Sequence, residues 1–215
     1  DEQIVDEPAV ADTLYASWDD LHARRDEHVP LYSTEVTPSG APAAHPFTLH
    51  GNAVVAQALD VLKRTLDEES ARDVEDPEAV RAALRRHFSI ERDGKVLFAS
   101  SIDLAGNSDT SGDAEGSPYW LPLYDAVERF DSVYRRTVRG VGAEPRSLAE
   151  QCARLLGPDA PAVLQWLRRA PLDNGVAGEI VDADGKVVAN GGDAALAGLL
   201  AWSTWYAVHA LGVRP

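Results

Sequence analysis

The chain has no methionine and a single cysteine among its 215 residues. One thiol excludes an internal disulfide framework and any thiolate-bound metal cluster. Cys152 lies in Ala149-Glu150-Gln151-Cys152-Ala153-Arg154-Leu155-Leu156, a helical pattern in which a cysteine serves as a small buried hydrophobe rather than a nucleophile. Because the chain begins Asp1-Glu2-Gln3 and holds no methionine, the expectation is a processed chain or part of something larger, with no signal-peptide pattern in it. Basic residues are also scarce: 20 Lys and Arg stand against 35 Asp and Glu, a formal net charge of −15. No Lys/Arg run tracks phosphates, which argues against nucleic acid and anionic membrane as partners. Long apolar runs are missing too. The nearest, Ala194 to Leu211, carries Ser203, Thr204 and His209 at the lower limit of spanning length, so a core helix buried on all sides is expected instead. Neither a Gly-x-Ser-x-Gly nucleophile motif nor a Gly-x-x-x-x-Gly-Lys-Ser/Thr phosphate loop is present.

What the sequence does contain is helical periodicity. Val10, Leu14, Trp18 and Leu21 recur three or four apart, as do Val55, Leu59, Leu62 and Leu66 behind a possible N-cap at Asn52. Asp76-Pro77 has the cap-then-proline form of a helix start, followed by the stripe Val80, Leu84, Phe88. Ser117-Pro118 opens a further predicted helix through Val127. Asp131 caps the next, Ser147-Leu-Ala-Glu150 is a capping box, and Asp159 begins another. Two segments break the pattern. Ser89 to Phe98 and Ile180 to Val188 each place Asp-Gly-Lys-Val between short β-prone runs, a hairpin signal. With no Pro/Gly-rich linker dividing it, residues 1–215 read as one mostly α domain: α/α toroid-like helical hairpins with two small β-hairpins.

Three loops carry chemistry. Glu179 sits on a loop with Gly175 and Gly178, ahead of a helix bearing Trp202 and Trp205, so a carboxylate stands beside faces able to stack on sugars. The second loop runs Asp103 to Glu115 and offers Asp113 and Glu115 among several hydrogen-bonding side chains suited to sugar hydroxyls. Its spacing lacks the order of a calcium loop. The third runs from Thr34 to Asn52 and contains Glu35, His45, His50 and Asn52. Two histidines without an evident third ligand do not make a zinc site, so no metal is expected.

In order and spacing these loops resemble the metal-independent exo-α-1,6-mannosidases, an inverting glycoside hydrolase family with an (α/α)6 toroid. Pro38-Ser39-Gly40-Ala41 leads through His45-Pro46-Phe47 to Gly51-Asn52, where the family has Pro-Ser-Asp-Asp-Ala, an aromatic stretch and a Ser-Asn helix start. Gly112-Asp113-Ala114-Glu115, Trp120-Leu121-Pro122-Leu123 and Phe130-Asp131-Ser132-Val133-Tyr134 match its Asp-Asp-Ala-Asn, Leu-Pro-Tyr-Leu and Asp-Asp-Pro-Ile-Tyr segments. Gly178-Glu179-Ile180 stands where the family has the His-Glu-Ser loop of its catalytic base, and Trp202 to Trp205 matches its aromatic helix. The similarity spans most of this chain and the C-terminal half of the family's domain.

The resemblance implies an incomplete (α/α)6 barrel and glycoside hydrolysis without metal or organic cofactor. Glu179 is then the general base; His45, His50, Asn52, Asp113, Glu115, Trp202 and Trp205 bind sugar. Inverting chemistry needs a second carboxyl group to protonate the leaving oxygen. Gly40 and Ala41 stand where the family has that acid, which leaves Glu35 as a candidate substitute alongside Asp113 and Glu115. Carbohydrate is the expected partner, with a second copy or a second chain completing the barrel. Two alternatives remain open: a non-catalytic carbohydrate-binding or assembly subunit, and a lyase or other α/α-barrel sugar enzyme using His45, His50 or Tyr119 as base. Cellular location is not readable from the sequence.

Overall fold

Helices alternate with short antiparallel strand pairs in the structure, a computed structural model. It describes residues 8–38, 40–66, 68–111, 116–140, 148–167, 194–209 and 212, together with the strands at 172–173, 176–177, 180–181 and 187–189. The helices are α1 (Pro8–His22), α2 (Leu49–Thr65), α3 (Glu68–Asp73), α4 (Pro77–Phe88), α5 (Ser132–Gly140), α6 (Leu148–Leu155), α7 (Ala160–Leu167) and α8 (Ala194–His209). The chain is thus mostly helical with small antiparallel sheets.

Local chemistry explains where several elements begin. Asp76 caps α4, its carboxylate accepting from the Glu78 amide at 3.1 Å, and Pro77 supplies the first helical residue. Asp131 does the same for α5 through the Tyr134 amide at 2.8 Å. The cap of α2 is Thr48 rather than Asn52: the Thr48 hydroxyl accepts from the Gly51 amide at 3.3 Å, and Asn52 lies inside the helix. Strands β2 (Ser89–Arg92) and β3 (Lys95–Phe98) pair across Asp93 and Gly94, whose φ values of 51° and 70° give the two left-handed residues of a tight hairpin turn. β8 (Ile180–Val181) pairs with β9 (Val187–Ala189), as the second Asp-Gly signal predicts; the turn itself and the capping-box serine, Ser147, lie outside the described residues.

Two expectations fail for stated reasons. The helix predicted from Ser117 to Val127 is a single 3-10 turn, Pro118–Trp120, followed by irregular backbone. Pro122 has no amide hydrogen to give the Pro118 carbonyl, and its ring crowds that group. The Leu121 and Leu123 amides instead bond three residues back, at 3.2 and 2.9 Å, and Asp125 turns the chain with φ 51°. The last helix is not buried all round: Trp202 is 38% and Trp205 56% exposed, while Ser203 and Ala207 face inward. A wholly apolar composition therefore hides a one-sided helix.

The main core gathers Leu49, Ala53, Leu84, Phe88, Phe98, Ile102, Tyr119, Leu121, Tyr134 and Cys152, with Leu200 and Tyr206 of α8 packed against it. Each fully buried leucine in it stabilises the fold by about 2–3 kcal/mol relative to exposure. Helix α2 packs on α4, and α6 packs on both α7 and α8. Arg81, 4% exposed, ties α4 to α2 through Asp60 and bonds Glu78 at 2.7 Å. No residue of α1 is buried; Trp18 and Leu21 lean on a satellite cluster around Tyr32, Leu59 and Val80.

A three-stranded sheet with no local sequence signal fixes the two loops that matter most. β1 (Phe47–Thr48) pairs antiparallel with β4 (Ser101–Ile102), and β4 pairs with β5 (Ser108–Asp109). The Leu49 amide donates to the Ser100 carbonyl at 2.9 Å, and the Ser100 amide to the Asp109 carbonyl at 2.7 Å. β6 (Leu172–Asp173) and β7 (Val176–Ala177) form a further pair where a loop is expected, although the sequence between them, Asn174-Gly175, is itself a hairpin signal.

Candidate functional site

The Thr34–Asn52 loop and the front of the Asp103–Glu115 loop meet at the β1–β4–β5 sheet. The first folds back on itself: Ala43 donates to the Glu35 carbonyl at 2.9 Å and Thr37 to the Ala41 carbonyl at 2.7 Å, around Gly40 at φ 81°. It closes where the Thr34 amide reaches the Pro46 carbonyl at 2.7 Å, and β1 follows at once. Between this hairpin-like loop and the sheet lies a cleft of about 240 Å³. Its polar lining comes from Thr37, His50, Ser100, Ser101, Asp109 and Ser111.

Asp109 is the carboxylate of this cleft. It accepts from the Ser111 amide at 2.9 Å and from the Ser111 hydroxyl, and these bonds hold its carboxyl below the usual aspartate range. Asp103 is lowered in the same way, first by the Asn107 side chain and then by the Asn107 and Ala105 amides, which brace the loop. His45, an expected sugar-binding residue, is part-buried and is not among the residues that line the cleft. His50, in the first turn of α2, is half-buried. Its ring meets Tyr124 edge-on with centroids 5.4 Å apart, and the Tyr124 hydroxyl lies 3.4 Å from Nε2. Burial pushes the Tyr124 hydroxyl upward, so it stays protonated and available as a donor.

The other expected site residues go elsewhere. Asn52 is fully buried, and both ends of its amide serve the backbone: Oδ1 accepts from the Tyr32 amide at 2.7 Å, and Nδ2 donates to the Tyr32 and Thr48 carbonyls at 3.1 and 2.9 Å. It holds the two arms of the Thr34–Asn52 loop together and has nothing left for a sugar. Glu35 is exposed and does not line the cleft. Trp202 and Trp205 lie outside the cleft lining and stack within α8 on Tyr206 and His209, at 5.3 and 5.6 Å. Tyr119 is buried, its hydroxyl donating to Asp159 at 2.7 Å near the Val138 carbonyl, so it is a structural tie rather than a base. Burial pushes the Cys152 thiol up to about 12, consistent with a packing role. Asp113, Glu115 and Glu179 lie outside the described residues.

Sequence reasoning placed Asp109 in a candidate loop without singling it out, and it did not find Ser100, Ser101 or Tyr124. The available signal for Asp109 was Asp109-Thr-Ser111, in which an aspartate bonds the amide two residues on and fixes its own carboxylate.

Chemically, the cleft offers an ionised acceptor, an imidazole and several hydroxyls, with no lysine or arginine among its lining residues. Among the described residues no three His, Cys, Asp or Glu side chains converge as metal ligands. Such a set suits a neutral polyhydroxylated ligand better than a phosphate or a cation. A carboxyl held low is a poor proton donor near neutral pH, so Asp109 is suited to accept hydrogen bonds rather than to protonate. No helix among the described residues is long and apolar enough to cross a membrane. Compared with protein-family models and with curated proteins, the sequence matches none.

Proposed function

We propose that this chain is a glycan-processing protein of the inverting exo-α-mannosidase type, binding a neutral sugar in the cleft between the Thr34–Pro46 loop and the β1–β4–β5 sheet. The observation that carries the reading is the convergence of Asp109, His50 and the serine hydroxyls of residues 100, 101 and 111 on one cleft with no lysine or arginine among its described lining residues. Glu179 is assigned the general-base role from its Gly-Glu-Ile loop and the aromatic helix that follows it. The paired packing of α2 with α4 and of α6 with α8 supports an incomplete α/α toroid, completed by a second copy or a second chain. A concentration-independent monomer in sedimentation would remove that last element.

The missing acid shapes the expected activity. Ala41 lines the cleft where the resembling family has a carboxyl group, and it has no proton to give a leaving oxygen. Aryl α-mannosides with acidic phenols need no protonation, so they should turn over, unaffected by chelator. An α-linked mannobiose should be slower by about 10²–10⁴-fold, the usual contribution of a general acid. Glu179→Gln should abolish turnover of both. Full activity in that variant would refute the base assignment. Binding without turnover in the parent chain would favour the second reading, a non-catalytic carbohydrate-binding subunit, for which the Gly40-Ala41 replacement is the specific support.

A further inference from the structure

Behind the segment that carries Tyr124 lies a second and larger cavity, of about 400 Å³, with no part in the chemistry above. Leu123 and Asp125 line it, while Tyr124 between them reaches His50 on the wall of the first cleft. Its polar lining comes from Arg85, Asp125, Glu128 and Arg129, and Tyr206 of α8 closes one side. Both guanidinium groups are anchored from behind. Arg85 donates to the Ala126 carbonyl at 3.2 Å and Arg129 to the Gly157 carbonyl at 3.1 Å. The Nε of Arg129 is buried without an acceptor among the described residues. Neither Asp125 nor Glu128 is ion-paired among the described residues, so their oxygens remain free to accept. Tyr206, which lines the cavity, stacks against the part-exposed Trp202 with ring centroids 5.3 Å apart; Trp202 itself is outside the lining.

Two guanidinium groups and two carboxylates line the cavity, and Arg85 also stands 3.8 Å from Glu78, so there is no surplus of positive charge to select an anionic ligand. Planar donors and acceptors around an aromatic face instead match a pyranose ring, whose hydroxyls both give and take hydrogen bonds and whose C–H face packs on an aromatic ring. The volume falls within the usual range for small-ligand sites, about 300–1,000 Å³. We propose that the cavity is a second saccharide site, holding a neutral sugar unit of an oligosaccharide, with Asp125, Glu128 and Arg129 on its hydroxyls and Trp202–Tyr206 as its stacking shelf. This rests on reading the chain as a glycan-binding protein, and it adds a second saccharide contact apart from the first cleft.

Tryptophan fluorescence titration with mannose and with α-1,6-linked mannotetraose tests it, using the parent chain, Asp109→Asn, Trp202→Ala and the double variant Asp125→Asn/Glu128→Gln. These are surface or cavity-edge positions, and asparagine accepts the left-handed backbone of residue 125. The double variant and Trp202→Ala should each weaken tetraose binding by about tenfold, the loss of one or two hydrogen bonds to charged groups or of a stacking face. The double variant should leave aryl-mannoside turnover, which belongs to the first cleft, unchanged. Unchanged tetraose affinity in both variants overturns the proposal. If Asp109→Asn then still weakens mannose, the first cleft stands without the second. Tetraose binding that is lost in the double variant but indifferent to Asp109→Asn upholds the second site and sinks the first. Tighter binding of a uronic-acid tetrasaccharide than of mannotetraose contradicts the neutral-ligand assignment, and no response to either mannose sugar removes both.

Discussion

Asn52 illustrates how one side chain spends its whole bonding capacity on the backbone. Its amide satisfies the Tyr32 N–H and carbonyl and the Thr48 carbonyl in a fully buried setting, which joins the start of α2 to the chain entering the cleft loop. Asn52→Ala leaves those groups without partners and should lower stability by about 2–3 kcal/mol in urea denaturation. A loss below about 0.5 kcal/mol, the range of an ordinary surface change, would show that water replaces the amide at no cost. From sequence alone Asn52 is a polar residue at a helix start, equally suited to a cap, a ligand or a buried tie; only the fold decides among them. Asp109 poses the reverse problem. It stood among four other acidic or amide residues in one loop, and its pairing with Ser101 of β4, which accompanies its place in the cleft wall, is not announced by any regular alternation in the intervening residues.

Elements were legible where short-range chemistry defines them. The Asp76-Pro77 cap and the Asp93-Gly94 turn each need only neighbouring residues, and both form as expected. Two-residue strands such as β1 and β4 are too short to show a periodicity, and β1 exists only through a partner about fifty positions away. Helix α8 shows the limit of composition. Its residues are apolar on every side, yet it packs on α6 with Ser203 and Ala207 inward and leaves Trp202 and Trp205 partly in solvent. Burial thus depends on how many neighbours an element has, a property of the whole chain. Trp205→Ser should accordingly change stability by no more than about 0.5 kcal/mol, as at other exposed positions. A buried tryptophan in that helix would cost about 3–5 kcal/mol on truncation. Thermal or urea unfolding of the variant separates these outcomes directly.

At the scale of the molecule, one core runs from the cleft sheet through α4, α5 and α6 to α8; the larger cavity opens beside the Pro122–Arg129 segment, whose Tyr124 touches His50 of the cleft. The helices build the support; the small strands aim the chemistry. That division explains why a mostly α composition was visible from periodicity while the cleft was not. It also makes the central claim local: the ligand site is the junction of two loops held by β1, β4 and β5. Hydrogen exchange with and without α-1,6-linked mannobiose measures this directly. The account predicts that protection gained on adding the sugar concentrates in residues 36–50 and 100–111. Exchange in those two segments that is unchanged by saturating sugar, with protection appearing only elsewhere or nowhere, would contradict it.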